Sequence, residues 1–219
     1  DHGNEAIYLN YGTGTLGGTV TKSWPPAGPL IARMMNLSGG YLNHYGDYST
    51  AQITVGLDYT YGGGWAYGNS FSDLENTKLI VQFGNNPAET RMSGGGLIHH
   101  LMESKERSQA RMIMIDPRYT DTAGGREDEW IPIRPGTDLA VVLAMSNVIM
   151  SEGLYRGDGE AFLEFCRVTP NRDATTAEKI AALQAHLAQY TPEWAEQTST
   201  IPADTIRRIA REFAAAAPA

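Results

Sequence analysis

The sequence has little cysteine, few cationic residues and no long apolar run, and each shortage excludes a class of protein. The single cysteine, Cys166, can form neither an intrachain disulfide nor a cysteine-ligated iron–sulfur site, and its amphipathic surroundings predict a buried side chain. The 17 Lys and Arg residues stand against 25 Asp and Glu, for a formal net charge of −8, so we expect no nucleic-acid partner. No segment reaches the roughly 18 apolar residues that a membrane-spanning helix needs.

The usual motifs of protein-only catalysis are also missing from the sequence. It contains neither a G-x-S-x-G nucleophile elbow nor an H-E-x-x-H zinc motif. The adjacent pair His99 and His100 lies in a predicted helix, where neighbours face different sides, and is interpreted as one exposed and one half-buried side chain. A chain without its own nucleophile or metal motif fits an enzyme in which a cofactor carries out the chemistry.

Alternating strands and helices occupy the middle of the chain. Continuous apolar runs at 78–83 and 111–116 flank a helical pattern at 94–108, which is the signature of a β-α-β unit with parallel strands. A third strand is predicted at 129–134, followed by a strongly apolar helix at 138–152. The pattern predicts an α/β fold, a three-layer, doubly wound and mainly parallel sheet.

The chain is predicted to divide late in the sequence. We expect an α/β core at 1–153 and a helical extension of the same domain at 154–219, where the pattern changes to amphipathic helices. Because the sequence begins without Met or a targeting segment, we also expect it to be a piece of a larger protein.

The N-terminal part combines short elements with a glycine-rich loop. A buried strand is predicted at 6–11, a helix at 30–37 closed by two glycines, and a helix at 50–57. Ser49 or Thr50 would be the N-cap of this second helix, and Gly56 marks its end. The glycines of "YGTGTLG" have the spacing of a dinucleotide-binding loop, but no acidic residue follows at 31–40 to hold a ribose. An NAD site is therefore disfavoured.

Loops rich in glycine and polar residues follow each predicted central strand. The carboxyl ends of parallel strands share one crevice, so these loops should converge there. Asp116 and Asp138 would then be carboxylates able to accept paired hydrogen bonds from a guanine edge or a ribose. Alternatively, Asp116 caps the turn before Pro117 and Asp138 N-caps its helix.

Five ordered segments, "YGTGTLGG", "LSGGYLNHYGDYSTAQI", "FGNNPAETRMSGGG", "IDPRYTDTA" and "WIPIRPGTD", resemble the molybdopterin oxidoreductases of the dimethyl sulfoxide reductase family. The resemblance covers nearly the whole chain and is strongest from 6 to 153. It implies a bis(molybdopterin guanine dinucleotide) molybdenum cofactor, with Ser49 as the protein ligand of the metal and Tyr11 as a tyrosine that can hydrogen-bond the oxo group or the substrate oxygen. An anionic serine oxygen is a hard donor that suits an oxidised metal.

The resemblance also implies a set of cofactor contacts. Tyr11 through Thr15 would flank the metal, and three later loops would grip the rest of the cofactor. Thr13 stands where soluble periplasmic sulfoxide reductases carry tryptophan, which favours the membrane-anchored type. The implied cofactor-binding residues are Tyr11, Gly12, Thr13, Gly14, Thr15, Glu89, Thr90, Ile115, Asp116, Gly136, Thr137 and Asp138.

The implied function is anaerobic respiratory reduction of dimethyl sulfoxide to dimethyl sulfide by oxygen-atom transfer to molybdenum. The family implies an upstream [4Fe-4S] domain, an iron–sulfur electron-transfer subunit, a membrane anchor subunit and a location on the periplasmic side of the bacterial inner membrane. The isolated piece should be inactive. The alternatives are reduction of another S-oxide, an N-oxide such as trimethylamine N-oxide, or an oxyanion, and, outside that chemistry, an NAD-binding domain or a cofactor-free scaffold.

Overall fold

The computed structural model describes residues 2–9, 30–42, 51–61, 71–90 and 96–216, which belong to two compact units at 1–68 and 69–219. The first unit contains a 3-10 helix, Asn4–Ala6, and the helices α1 (Leu30–Leu37) and α2 (Ala51–Tyr61). The second unit contains a 3-10 helix, Phe71–Asn76, then β1 (Leu79–Phe83), α3 (Leu97–Ser108), β2 (Arg111–Ile115), β3 (Glu129–Ile131), α4 (Asp138–Ser151), α5 (Asp158–Phe165), α6 (Thr176–Leu187), α7 (Pro192–Ser199) and α8 (Ala203–Ala216).

In the first unit, the chain before and after α1 is joined by backbone and side-chain hydrogen bonds. The side chain of Asn4 donates to the carbonyl of Gly40 at 2.7 Å, and Tyr8 forms an isolated parallel bridge with Leu42. The predicted closure of α1 by glycine is confirmed, because Gly39 and Gly40 both have positive φ. The predicted buried strand at 6–11 is wrong in its described part, where a single bridge forms and Tyr8 is 59% exposed.

Helix α2 is longer than the sequence predicts. The prediction took Gly56 as the end signal and stopped the helix at Leu57, but the helix continues to Tyr61. A glycine inside a helix costs only about 1 kcal/mol relative to alanine, which neighbouring helix formers can offset. The hydroxyl of Thr60 also donates to the carbonyl of Gly56 at 2.9 Å, inside the helix rather than at its end.

The second unit is built on a parallel sheet with the order β1-β2-β3. The predicted β-α-β unit is confirmed, with β1 and β2 joined through α3. The predicted third strand at 129–134 is too long, because β3 ends at Ile131. Pro132 follows directly and has no N–H to contribute to a strand ladder.

Side chains of the central strand alternate between two covered faces. Met112 and Met114 pack with residues of α3, whereas Ile113 and Ile115 pack with α4, α7 and α8, and all four are fully buried. This alternation follows from the two-residue repeat of a strand and gives the three-layer arrangement expected of an α/β fold.

The C-terminal helices complete the layer on one face of the sheet. Helix α6 begins with a capping box between Thr175 and Glu178, and α7 begins with Thr191 as N-cap before Pro192. Cys166 is partly buried against a cluster shared by α4, α5 and α6. None of the helices in the described ranges is long and apolar enough to cross a membrane. The division of the chain at residue 153 stays a prediction.

Candidate functional site

The three strands end at the same level, so the loops that follow them begin at one edge of the sheet. Phe83 is paired with Ile115, and Ile115 with Ile131, in the last register of the ladder. The ladder extends one residue further, since Gly84 N–H donates to the Ile115 carbonyl at 3.0 Å and Asp116 N–H to the Ile131 carbonyl at 3.2 Å. We call this the carboxyl edge, where open parallel sheets bind their ligands.

The loop after β1 is folded around Asn86, which is only 5% exposed. Its carbonyl accepts from Thr90 N–H at 2.9 Å and from Thr90 Oγ1 at 2.8 Å. Its side-chain Nδ2 donates to Glu89 Oε2 at 2.8 Å. The predicted contact residues Glu89 and Thr90 are therefore exposed side chains held in place by one buried asparagine.

The loop after β2 begins with a buried carboxylate. Asp116 is 5% exposed, and its Oδ1 accepts from the Arg118 backbone N–H at 2.8 Å, so the predicted turn-capping role is confirmed. Trp130 Nε1 donates to the Asp116 carbonyl at 3.1 Å. No donor among the described residues bonds Asp116 Oδ2. Buried polar atoms are almost always hydrogen-bonded, so a donor to this oxygen is expected from outside the described residues.

Two cross-links join these loops, and sequence reasoning missed both. Thr122 Oγ1 donates to Asn86 Oδ1 at 2.6 Å and accepts from Ala88 N–H at 3.0 Å. The exposed side chains of Arg118 and Glu89 form a longer ion pair of 3.7 Å. The available signal was the position of Asn86 and Thr122 in the loops after successive strands, with Asn86 directly before Pro87 and Thr122 two residues before Gly124.

The loop after β3 turns into α4 through a glycine with φ of +77°. This glycine, Gly136, precedes Thr137, whose Oγ1 donates to the Arg134 carbonyl at 2.6 Å. Thr137 occupies the N-cap position, so the prediction that Asp138 N-caps the helix is wrong. Asp138 is instead the first helical residue, half-buried, where the positive end of the helix dipole favours a carboxylate.

The remaining predicted site residues differ in accessibility. The side chain of Ile115 is fully buried in the core, so only its backbone could meet a ligand, and its carbonyl already accepts from Gly84. The residues Tyr11, Gly12, Thr13, Gly14, Thr15 and Ser49 lie outside the described ranges.

Within the described ranges, no group of three His, Cys, Asp or Glu side chains could hold a metal ion. His99 and His100 are both exposed, so the half-buried assignment is wrong for one of them.

An open parallel sheet whose loops begin together at the carboxyl edge defines a ligand-binding α/β protein. The chain belongs to the molybdopterin oxidoreductases, whose family model matches residues 1–189. It is 59% identical, over its whole length, to dimethyl sulfoxide reductase DmsA of Haemophilus influenzae and 56% identical to dimethyl sulfoxide reductase DmsA of Escherichia coli. The chain spans 28% of each of these relatives.

A solved structure shows the same fold. Acetylene hydratase from Pelobacter acetylenicus superposes with a TM-score of 0.54 at 22% identity, over 86% of this chain and 23% of that protein. The family predicted from the five ordered segments and the predicted α/β fold class are both confirmed.

Proposed function

We propose that this chain is part of a molybdenum-dependent reductase that converts dimethyl sulfoxide to dimethyl sulfide, and that its carboxyl edge binds part of a molybdopterin guanine dinucleotide cofactor. The observation that carries the proposal is the buried Asp116 carboxylate, whose Oδ2 has no partner among the described residues, at an edge where three loops begin together. High identity to two proteins named dimethyl sulfoxide reductase supports the choice of substrate.

The described residues fit a guanine dinucleotide in their chemistry. Guanine presents N–H donors on its edge and ribose presents hydroxyl donors, and a carboxylate accepts from both. Asp116 and Asp138 supply such carboxylates after β2 and before α4. Glu89 and Thr90 supply exposed polar groups after β1, and Gly136 and Thr137 supply backbone N–H groups at a turn without a bulky side chain.

The chain's remaining roles concern the metal. When bound, the cofactor would supply oxygen-atom-transfer chemistry, by which dimethyl sulfoxide, two electrons and two protons give dimethyl sulfide and water. In this proposal Ser49 would supply the oxygen that holds the metal, and the Tyr11 hydroxyl would orient the substrate by a hydrogen bond. The segment Gly12–Thr15 would flank the metal.

The setting of the complete protein is also part of the proposal. Electrons would come from a [4Fe-4S] domain upstream of this chain and from an iron–sulfur subunit, with a third subunit as membrane anchor. The protein would work on the periplasmic side of the bacterial inner membrane.

The proposal is tested on the complete protein, produced in a host that makes molybdenum cofactor. We expect molybdenum, a guanine-to-molybdenum ratio of about two, and oxidation of a reduced viologen dye by dimethyl sulfoxide. Ser49→Ala should keep the pterin and lose turnover. Faster turnover of trimethylamine N-oxide would reassign the substrate, and absence of pterin together with binding of NADH would refute the proposal.

A further inference from the structure

We infer that Asn86 and Thr122 form a positioning pair that sets the spacing of the two cofactor-binding loops after β1 and β2. The inference rests on the proposed function, because it assigns the pair a role toward the cofactor. Neither residue is expected to touch the cofactor. They act through Glu89, Thr90 and the loop that begins at Asp116.

Every polar side-chain atom of Asn86 and Thr122 forms a hydrogen bond. Asn86 Oδ1 accepts from Thr122 Oγ1 at 2.6 Å and from Thr122 N–H at 3.2 Å, while Asn86 Nδ2 donates to Glu89 Oε2 at 2.8 Å. Thr122 Oγ1, which donates to Asn86, also accepts from Ala88 N–H at 3.0 Å. The Thr122 backbone donor fixes which side-chain atom of Asn86 is the oxygen.

Burial makes these bonds matter. Asn86 is 5% exposed and Thr122 is fully buried, so water cannot replace a bond that is lost. The two residues are 36 positions apart in the chain and belong to different loops. Among their described residues, the loops have no ladder hydrogen bonds beyond Gly84 and Asp116, so this pair is the buried connection between them past the end of the sheet, beside the exposed Arg118–Glu89 ion pair.

The pair also determines where Glu89 points. One Glu89 oxygen, Oε2, is bonded to Asn86, and the same oxygen lies 3.7 Å from Arg118 Nη2. Arg118 and Glu89 are 69% and 54% exposed, so their ion pair contributes little by itself. The buried amide therefore orients the carboxylate, and the carboxylate and Thr90 are the groups presented at the carboxyl edge.

Three substitutions separate positioning from folding. Thr122→Val keeps the side-chain shape and removes the hydroxyl, whereas Thr122→Ser keeps the hydroxyl and should rescue. Asn86→Asp keeps both bonds from Thr122 but places a second carboxylate 2.8 Å from Glu89 Oε2. Thr198→Val is the control for the loss of a threonine hydroxyl away from the carboxyl edge. The hydroxyl of Thr198 donates to the backbone carbonyl of Trp194 at 3.0 Å, inside α7.

The experiment compares two forms of the complete protein. One form is isolated with its cofactor, and the other is isolated from a host that cannot make pterin. Two quantities are measured, the rate at which the cofactor is lost on dilution and the difference in Tm between the two forms. Cofactor binding raises Tm by an amount that grows with the logarithm of its affinity for the folded state. A purely structural defect therefore lowers the Tm of both forms together and leaves the difference unchanged.

We expect Thr122→Val and Asn86→Asp to lose cofactor about tenfold faster and to narrow the Tm difference. Thr122→Ser and Thr198→Val should match the native protein in the rate of cofactor loss and in the Tm difference. An unchanged release rate and Tm difference in Thr122→Val and Asn86→Asp, with pterin present in the native protein, would overturn the inference alone. A native protein without pterin would overturn the proposed function and the inference with it.

Discussion

Replacing Glu129 by glutamine should weaken the attachment of helix α8 to the start of the sheet. Glu129 lies at the start of β3 and pairs with Arg111, at the start of β2, and with Arg208 of α8 at 2.5 Å. Glu212 closes the ring by pairing with Arg111 at 2.5 Å and with Arg208 at 3.0 Å. The four side chains are 25–39% exposed, so their charges are only partly screened by water.

The expected cost follows from the number of pairs that are lost. Glu129 takes part in two of the four ion pairs, and a partly exposed pair is worth about 0.2–1 kcal/mol, so Glu129→Gln should cost about 1 kcal/mol in free energy of unfolding. A double-mutant cycle with Arg208→Met, which keeps the aliphatic stem, should give a coupling energy of about 0.5–1 kcal/mol. Salt at 1 M should reduce that coupling, because it shortens the screening length to about 3 Å.

The assay is unfolding of the 219-residue chain in urea, which adds no ionic strength, followed by the fluorescence of its tryptophans. The control cycle pairs Arg207→Met with Asp204→Asn, on the same helix at 3.0 Å, where Asp204 is 97% exposed and the coupling should be about 0.3 kcal/mol or less. A Glu129–Arg208 coupling no larger than that of the control, or one insensitive to salt, would refute the reasoning.

Three further predictions concern backbone strain, pH and packing. Gly136→Ala should lower the free energy of unfolding by about 1–2 kcal/mol, because φ at this residue is +77°. Gly159→Ala lies inside α5 with room for a methyl group, so it should raise the free energy of unfolding by up to about 1 kcal/mol. Equal urea midpoints for the two variants would contradict this prediction. The hydrogen bond that the Met112 backbone N–H donates to Asp128 holds the pKa of that carboxyl below its ordinary value. The Tm deficit of Asp128→Asn should therefore be full at pH 7 and disappear as the pH falls below about 4. A Tm deficit that is constant with pH would exclude this role. Ile209→Ala should cost about 2–5 kcal/mol and Leu139→Ala, 69% exposed, less than about 0.5; similar costs would contradict the packing.

The sequence predicted the central elements because their signals are local and strong. Continuous apolar runs marked β1 and β2, and a clean apolar helix after "PGTD" marked α4. The errors occurred where one residue's effect depends on its surroundings. Gly56 was read as a helix end although α2 tolerates it, and the run at 129–134 was read as one strand although Pro132 ends it.

The site was predictable in location but not in its internal bonding. Parallel strands place their following loops at one edge, so the neighbourhood of Asp116 followed from topology. The hydrogen bonds between Asn86 and Thr122 depend on how two loops fold against each other, which no local pattern encodes. Likewise, Thr137 and Asp138 are both good cap residues, and only the backbone geometry decides between them.

The central claim, that the carboxyl edge holds the cofactor, is tested most directly by hydrogen exchange of the complete protein with and without its cofactor, read by mass spectrometry. The account predicts slower exchange with cofactor at 84–90, 116–122 and 134–138, and unchanged exchange in α6 (Thr176–Leu187). Equal exchange at the three loops in both forms, from a protein shown to carry pterin, would contradict it.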